Sequence, residues 1–220
     1  MTHRTPRTPA PWACRLVSLG AIALLTMTAV ARADSPPPAA AGSAADAKTF
    51  LEHKQAKVMR LLRQAPSPAR EKALDAQLAG FLDYETISKD SLAAHWQAAS
   101  PKQRHDFVSL FEALVRGQYQ ANLQKTLDFD VRYEAAKADG ERFVVKTVAR
   151  SKTQRRTPSV DVDYTLRKTG DGYQVVDIAT DGVSMVDNYR SQFGRIIAKE
   201  GFDGLIGRMR DKRAQQLQKK

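Results

Sequence analysis

Cysteine is nearly absent from this sequence, since Cys14 is the only one in 220 residues. Cys14 precedes the apolar stretch at 16–30, whereas the acceptor cysteine of a lipoprotein follows such a stretch. If residues 1–33 are removed, the remaining chain has no disulfide, no thiolate metal site and no cysteine nucleophile. Its stability must then come from packing alone.

Long hydrophobic runs are also scarce. The stretch at 16–30 is shorter than the ~20 apolar residues that a membrane-spanning helix needs. Basic residues precede this stretch and the sequence Ala31-Arg32-Ala33 follows it, which is the pattern of a secretory signal peptide with its cleavage site. We therefore predict that residues 1–33 are a cleaved signal peptide and that the protein is exported.

No catalytic signature is recognisable. Beyond the signal peptide the histidines are His53, His95 and His105, and no two have the H-E-x-x-H spacing of a zinc site. The sequence also lacks a G-x-S-x-G nucleophile elbow. These absences argue against the common hydrolase and metalloenzyme classes.

Asp177 is the remaining candidate for chemistry, because it is a carboxylate in an otherwise apolar strand. With Tyr173 or Tyr164 it could serve an NTF2-like hydrolase or isomerase if its pKa were raised. The alternative, which we favour, is a buried acid paired with an arginine or with a helix N-terminus.

The charge is strongly of one sign, with a formal net charge of +11. The predicted signal peptide contains arginines and no acidic residues, so cleavage lowers the net positive charge but leaves the exported chain basic. A basic surface favours nucleic acid in the cytosol, but export argues against that partner. Outside the cytoplasm it suits anionic lipid headgroups or an acidic protein, and it also serves solubility.

The helical part of the chain comes first. Residues 34–45 are rich in Pro and Ala and are predicted to be a disordered linker before a domain at 46–218. Apolar spacing predicts helices at 46–64 and 67–80, and two short helices within 81–100, with Asp83 and either Asp90 or Ser91 as caps. Ser100-Pro101 begins a long helix, and two further helices are predicted at 184–200 and from 202 onward.

From residue 129 the hydrophobic period changes from helical to alternating, which predicts four strands joined by short turns. Val160, Val162, Tyr164 and Leu166 form the clearest of these patterns. The last strand, 173–179, has apolar residues on both faces, so both faces should be covered. Helices segregated from an antiparallel meander predict the α+β class.

Several segments together resemble the MlaC family, the periplasmic phospholipid carriers of Gram-negative bacteria that are also called toluene-tolerance auxiliary proteins. The longest is VVDIATDGVSMVDNYRSQFGRIIAKEGFDGLIGRM at 175–209. The others are 81–111, the continuation of that helix to Tyr119, and Val160-x-Val162-x-Tyr164. Within 81–111 the family-like positions are Phe81, Asp83, Tyr84, Ile87, Leu92, Trp96, Arg104 and Phe107.

The resemblance implies a twisted four-stranded antiparallel sheet, related to the NTF2-like cone, and about seven helices around an apolar cavity for lipid tails. It implies a non-enzymatic auxiliary component of an ABC transporter that maintains outer-membrane lipid asymmetry. The implied partners are phospholipid, an inner-membrane ABC transporter complex with an MCE-domain ring, and an outer-membrane lipoprotein–porin complex. It implies no cofactor and no metal, and we expect a monomer.

The resemblance and the alternation of apolar residues together predict the positions that contact lipid. They are Phe107, Phe111, Leu114, Val131, Tyr133, Val145, Val162, Tyr164, Ile178, Val183 and Met185. Alternation alone cannot separate a cavity wall from a filled core. Two other functions therefore stay open beside the phospholipid carrier: a non-catalytic periplasmic adaptor with a solid core, and a carrier of another lipid such as a hopanoid.

Overall fold

A computed structural model describes residues 42–154, 156–170 and 172–218. The predicted signal peptide and most of the predicted linker lie outside the described residues. No helix in the described part of the chain is long and apolar enough to cross a membrane.

The described chain contains seven helices and five strands, in an α+β arrangement. The first group is α1 (Ala44–Leu62), α2 (Pro68–Leu78), α3 (Tyr84–Leu92), α4 (Ala94–Ala98), α5 (Pro101–Asn122) and a 3₁₀ helix (Leu123–Asp128). The strands are β1 (Phe129–Asp139), β2 (Arg142–Ser151), β3 (Val160–Thr169), β4 (Gly172–Thr180) and β5 (Val183–Ser184). They are followed by α6 (Met185–Gln218).

Local capping explains most helix starts. The side chains of Ser43 and Asp46 accept each other's backbone N–H groups, so α1 begins two residues before the predicted domain start. Ser100 caps α5 in the same way, with proline in the first turn, as predicted. The predicted cap at Asp90 or Ser91 is wrong, because α3 continues through both residues to Leu92 and is followed by Ala93, whose φ is 48°.

Five strands, not the predicted four, form the sheet, in the order β1-β2-β3-β4-β5 with every neighbouring pair antiparallel. The additional strand has two residues and follows a turn in which Asp181 and Gly182 have φ values of 48° and 78°. Two residues are too short for an alternating pattern, and the helix predicted at 184–200 included the second of them, Ser184. The predicted relation to the NTF2-like cone stays a prediction.

Two irregularities bend this sheet. In β1 the register shifts between Tyr133 and Ala136, and in β4 Val176 has no partner opposite Thr165 or Leu166. A bulge of this kind bends its strand and increases the local twist. Val175 and Val176 are both fully buried, so the last long strand is covered on both faces, as predicted.

The core has three parts. The aromatic cluster joins α3, α5 and α6 and consists of Ile87, Leu92, Phe107, Phe111, Val186, Phe193, Leu205, Ile206 and Met209. The sheet cluster joins α1 to the inner face of the sheet and consists of Ala47, Leu51, Phe143, Val145, Leu166, Tyr173 and Val175. A small third cluster, Val58, Leu62, Leu74 and Leu123, joins α1, α2 and the 3₁₀ helix.

Asp177 connects the sheet to α6. Its carboxylate accepts hydrogen bonds from the backbone N–H groups of Ile178 (2.8 Å) and Val186 (3.0 Å) and from the hydroxyl of Ser184 (2.6 Å). Val186 is in the first turn of α6, where unpaired N–H groups and the helix dipole favour an anion. This confirms the predicted pairing of Asp177 with a helix N-terminus, although the residue is half-buried and not buried as predicted.

We expect Asp177→Ala to lower the free energy of unfolding by about 1–2 kcal/mol, the range for losing a helix N-terminal acceptor. Urea unfolding followed by circular dichroism measures this change. Asp187→Ala is the control, since Asp187 is exposed and pairs with Arg190 on the surface, and we expect it to cost less than about 0.5 kcal/mol. Equal losses in both variants would contradict the capping role.

Candidate ligand-binding cavity

A cavity of about 340 Å³ lies between the inner face of the sheet and the helices α1, α2 and α5. Its volume is within the range of ~300–1,000 Å³ typical of small-molecule sites. The residues that line it are Leu51, Lys54, Gln55, Val58, Met59, Gln77, Leu78, Phe81, Tyr119, Thr126, Phe129, Val131, Ala149, Val160, Tyr164 and Ile178. Most of these side chains are aliphatic or aromatic, so the cavity favours an apolar ligand.

The strand register explains why the cavity lies here. Val131 pairs with Ala149, and Ala149 pairs with Val160, so the three side chains form one row across β1, β2 and β3. Side chains of paired residues project from the same face of a sheet. The middle residue of the row is alanine, and its small side chain leaves space between two valines.

Helix α1 forms the wall that faces the sheet. Leu51, Gln55, Val58 and Met59 follow the i, i+4, i+7, i+8 spacing of a single helix face. The N-terminal part of the same face packs on the sheet cluster through Ala47 and Leu51. The cavity therefore begins where α1 no longer packs directly on the sheet.

A loop fixes the aromatic residue Phe81 in the wall. The backbone oxygen of Phe81 accepts from the N–H of Val175, and the N–H of Asp83 donates to the oxygen of Val175, both at 2.9 Å. The Asp83 carboxylate also accepts from the Arg167 guanidinium at 2.6 Å. Burial would raise the pKa of Asp83, but the hydrogen bonds from Thr86 and Arg167 outweigh it and hold that pKa below its usual value.

The tyrosines of the site are neutral hydrogen-bonding groups. Burial raises the pKa of Tyr119 to about 12, and Tyr164 beside it contributes to this shift. Burial likewise raises the pKa values of Tyr133 and Tyr164. The Tyr133 hydroxyl donates to the Gln55 side-chain oxygen, and the Thr126 hydroxyl donates to the oxygen of Leu123 at 2.6 Å. The hydroxyls of Tyr133 and Thr126 and the side-chain oxygen of Gln55 therefore have partners within the protein.

A second, smaller cavity of about 40 Å³ lies next to the first. It shares four lining residues with the larger cavity: Leu78, Phe81, Tyr119 and Ile178. Its remaining wall comes from Leu82, Tyr84, Val115 and Arg116. The two spaces therefore have part of their lining in common.

The structure brings three of the predicted lipid-contacting residues onto the cavity wall: Val131, Tyr164 and Ile178. Tyr133 lies beside the wall through its hydrogen bond to Gln55. By strand alternation Val162 is on the same face between Val160 and Tyr164, although it is not among the lining residues.

The other predicted residues lie elsewhere. Phe107 and Phe111 are members of the aromatic cluster, and Leu114 and Met185 pack against it. Val145 is fully buried in the sheet cluster. Val183 is 63% exposed at the start of β5.

Sequence reasoning missed the contribution of α1, together with Phe81 and Tyr119. The apolar periodicity of α1 was visible, but it predicts only that one helix face is covered. A face packed on the sheet and a face lining a cavity have the same pattern. Tyr119 lies near the C-terminal end of α5, beyond the residues of that helix that contact the aromatic cluster.

The geometry does not favour the catalytic alternative for Asp177. Thr165 pairs with Asp177 while the adjacent Tyr164 pairs with Ile178, so Asp177 and Tyr164 project from opposite faces of the sheet. The Tyr173 hydroxyl donates to the backbone oxygen of Ser43, away from the carboxylate. Among the residues that the structure describes, no group of three or more His, Cys, Asp and Glu could hold a metal ion.

Comparison with known proteins agrees with the fold and with the sequence resemblance. The model of the MlaC family, described as MlaC protein, matches residues 52–211. The fold is similar to that of a phospholipid-binding protein from Ralstonia solanacearum, solved in complex with a phospholipid at 1.53 Å resolution. That similarity has a TM-score of 0.67 at 22% sequence identity, and it covers 78% of this chain and 99% of the other. Since the family model spans most of the sequence and the helices and sheet follow the predicted order, the chain belongs to the MlaC family.

Proposed function

We propose that this protein is a periplasmic carrier that holds the acyl tails of a phospholipid in the cavity between α1 and the sheet. The observation that supports the proposal most directly is the apolar space of about 340 Å³ beside Ala149, where a filled core would otherwise be expected. Membership of the MlaC family and a similar fold in a phospholipid-binding protein support the same ligand class.

The energetics of a lipid in water explain why a carrier needs such a space. Each exposed methylene costs ~0.8 kcal/mol, so two tails with on the order of 30 methylenes cost roughly 24 kcal/mol. Unaided diffusion through an aqueous compartment is therefore negligible. A cavity that covers the tails removes most of this cost, and release then requires a partner that offers an equally apolar environment.

We assign the tail contacts to the row Val131, Ala149 and Val160, together with Tyr164 further along β3 and Ile178 on β4. Leu51, Val58 and Met59 of α1 would cover the opposite side of the tails. Of the other residues predicted from the sequence, Phe107, Phe111 and Leu114 would support the fold from the aromatic cluster.

The proposal extends to the route of transport. Cleavage after residue 33 would release the protein into the periplasm. There it would exchange lipid with an inner-membrane ABC transporter complex that carries an MCE-domain ring and with an outer-membrane lipoprotein–porin complex. This traffic would maintain the lipid asymmetry of the outer membrane. The basic surface of the chain suits contact with anionic membranes and acidic protein surfaces.

Native mass spectrometry tests the carrier function on the exported protein purified from a bacterial periplasm. We expect phospholipid at about one molecule per chain, identified after extraction. As a control, the same preparation is delipidated and then reloaded from phospholipid vesicles. A lipid-free mass both before and after vesicle incubation would contradict the proposal and favour the adaptor alternative. Extraction of a hopanoid in place of phospholipid would identify the protein as a carrier of that other lipid.

A further inference from the structure

One charged side chain, Lys54, lines the cavity among the residues that the structure describes. It projects from the middle of α1, between Leu51 and Val58 on the cavity-lining face. The other lining side chains are aliphatic, aromatic or polar without a charge. A partly buried ammonium group at this position lowers the stability of the fold unless an anion or water compensates its charge.

Lys54 has no carboxylate partner within the described chain. Its ammonium group instead lies over the ring of Phe50, with 5.8 Å between Nζ and the ring centroid. Glu52 is oriented toward Lys48 instead, at 3.9 Å. Partial burial lowers the pKa of Lys54, and the positive charge of Lys57 one turn away lowers it further. The local electrostatics therefore favour an added anion.

A second uncommitted polar side chain lines the same cavity. Gln55 and Thr126 are already engaged in hydrogen bonds with the protein. Gln77 of α2 also lines the cavity, and within the described residues its side-chain amide makes no hydrogen bond. The cavity lining thus offers a cation and a neutral donor beside a space that is mostly apolar.

We propose that Lys54 binds the phosphate of the lipid headgroup while the tails occupy the cavity, with Gln77 as an additional donor to the polar part of the lipid. This inference rests on the proposed carrier function and makes it more specific. The selected cargo is a lipid that carries an anionic phosphate, in preference to an uncharged lipid with the same tails. A lysine suits this position because its alkyl stem can lie along the apolar wall while its ammonium group meets the phosphate.

The test is competitive loading of the delipidated full-length exported protein from vesicles that contain equal amounts of phosphatidylglycerol and diacylglycerol with identical acyl chains. Bound lipids are quantified by extraction and mass spectrometry. We expect the wild type to prefer phosphatidylglycerol. Lys54→Met keeps the length of the stem, and we expect it to reduce that preference about tenfold, which corresponds to about 1.4 kcal/mol.

Lys57→Met is the matched control, since Lys57 is exposed on the same helix and outside the cavity lining. We expect it to change the preference less than twofold. An equal effect of Lys57→Met would indicate diffuse attraction to anionic vesicles and would overturn the assignment to Lys54. An equal loss of both lipids in Lys54→Met would indicate a packing role and would overturn it as well.

Two further outcomes separate this inference from the carrier proposal. Wild type that loads both lipids equally would overturn the phosphate subsite and leave the carrier function standing. Wild type that loads neither lipid would overturn both. In a parallel arm, inorganic phosphate is added in excess, and we expect no change. Loss of the preference in that arm would show that Lys54 takes free phosphate, and would overturn the assignment to a lipid headgroup.

Discussion

The Ala149→Trp variant is expected to lose bound lipid almost completely while remaining folded. Ala149 is the smallest member of the row that it forms with Val131 and Val160, and its side chain borders a cavity of about 340 Å³. An indole placed there would occupy space that we assign to acyl tails. Because the protein's own side chains leave this space unfilled, the larger side chain need not displace packed neighbours.

The measurement is lipid occupancy by native mass spectrometry, together with thermal unfolding of the delipidated proteins. Delipidated forms must be compared because a ligand bound to the native state raises apparent stability. Arg150→Trp is the control, since residue 150 is exposed and projects from the opposite face of the same strand. A folded Ala149→Trp protein with wild-type lipid occupancy would contradict our placement of the tails.

A substitution at Val145 would not give the same information as one at Ala149. Val145 was predicted from alternation to contact lipid, but it is 0% exposed within the sheet cluster. A tryptophan there would overpack the core, at a cost of about 1–3 kcal/mol or more. Loss of lipid in such a variant could then follow from unfolding, whereas Ala149 separates filling of the cavity from damage to the core.

Phe107→Ala is expected to lower the free energy of unfolding by about 3–5 kcal/mol. Phe107 is 0% exposed, and its ring packs against those of Phe111, Phe193 and Phe202 with centroid separations of 5.8, 5.3 and 6.2 Å. Truncation removes these contacts and leaves a void between α5 and α6. Since small domains are stable by only about 5–15 kcal/mol, this is a large part of the total.

Urea unfolding of the delipidated protein measures the effect, with lipid occupancy recorded under native conditions. Leu110→Ala on the same helix is the control, because Leu110 is only partly buried beside the aromatic cluster, and we expect a smaller loss. If Phe107→Ala instead abolished lipid binding with little change in stability, Phe107 would contact the tails, as the sequence analysis predicted.

Local sequence patterns were enough to predict the class of the fold and most element positions, because these depend on local chemistry. Ser100 and Pro101 specify the start of α5 whatever packs against it. Alternation along β3 predicts a strand with one covered face, and Asp139-Gly140 predicts the turn before β2. Gly201, with φ of 72°, separates the two helical segments within α6 where two helices were predicted.

What covers each apolar face depends on the three-dimensional packing and could not be predicted from local patterns. Periodicity shows that a side chain avoids water, but a filled core and a cavity wall both satisfy that requirement. Phe107 is therefore packed among rings, while Tyr119 from the same helix reaches the cavity. The cavity depends on strand register, which sets a small alanine between two valines opposite α1. That juxtaposition joins residues far apart in the chain, and no local pattern contains it.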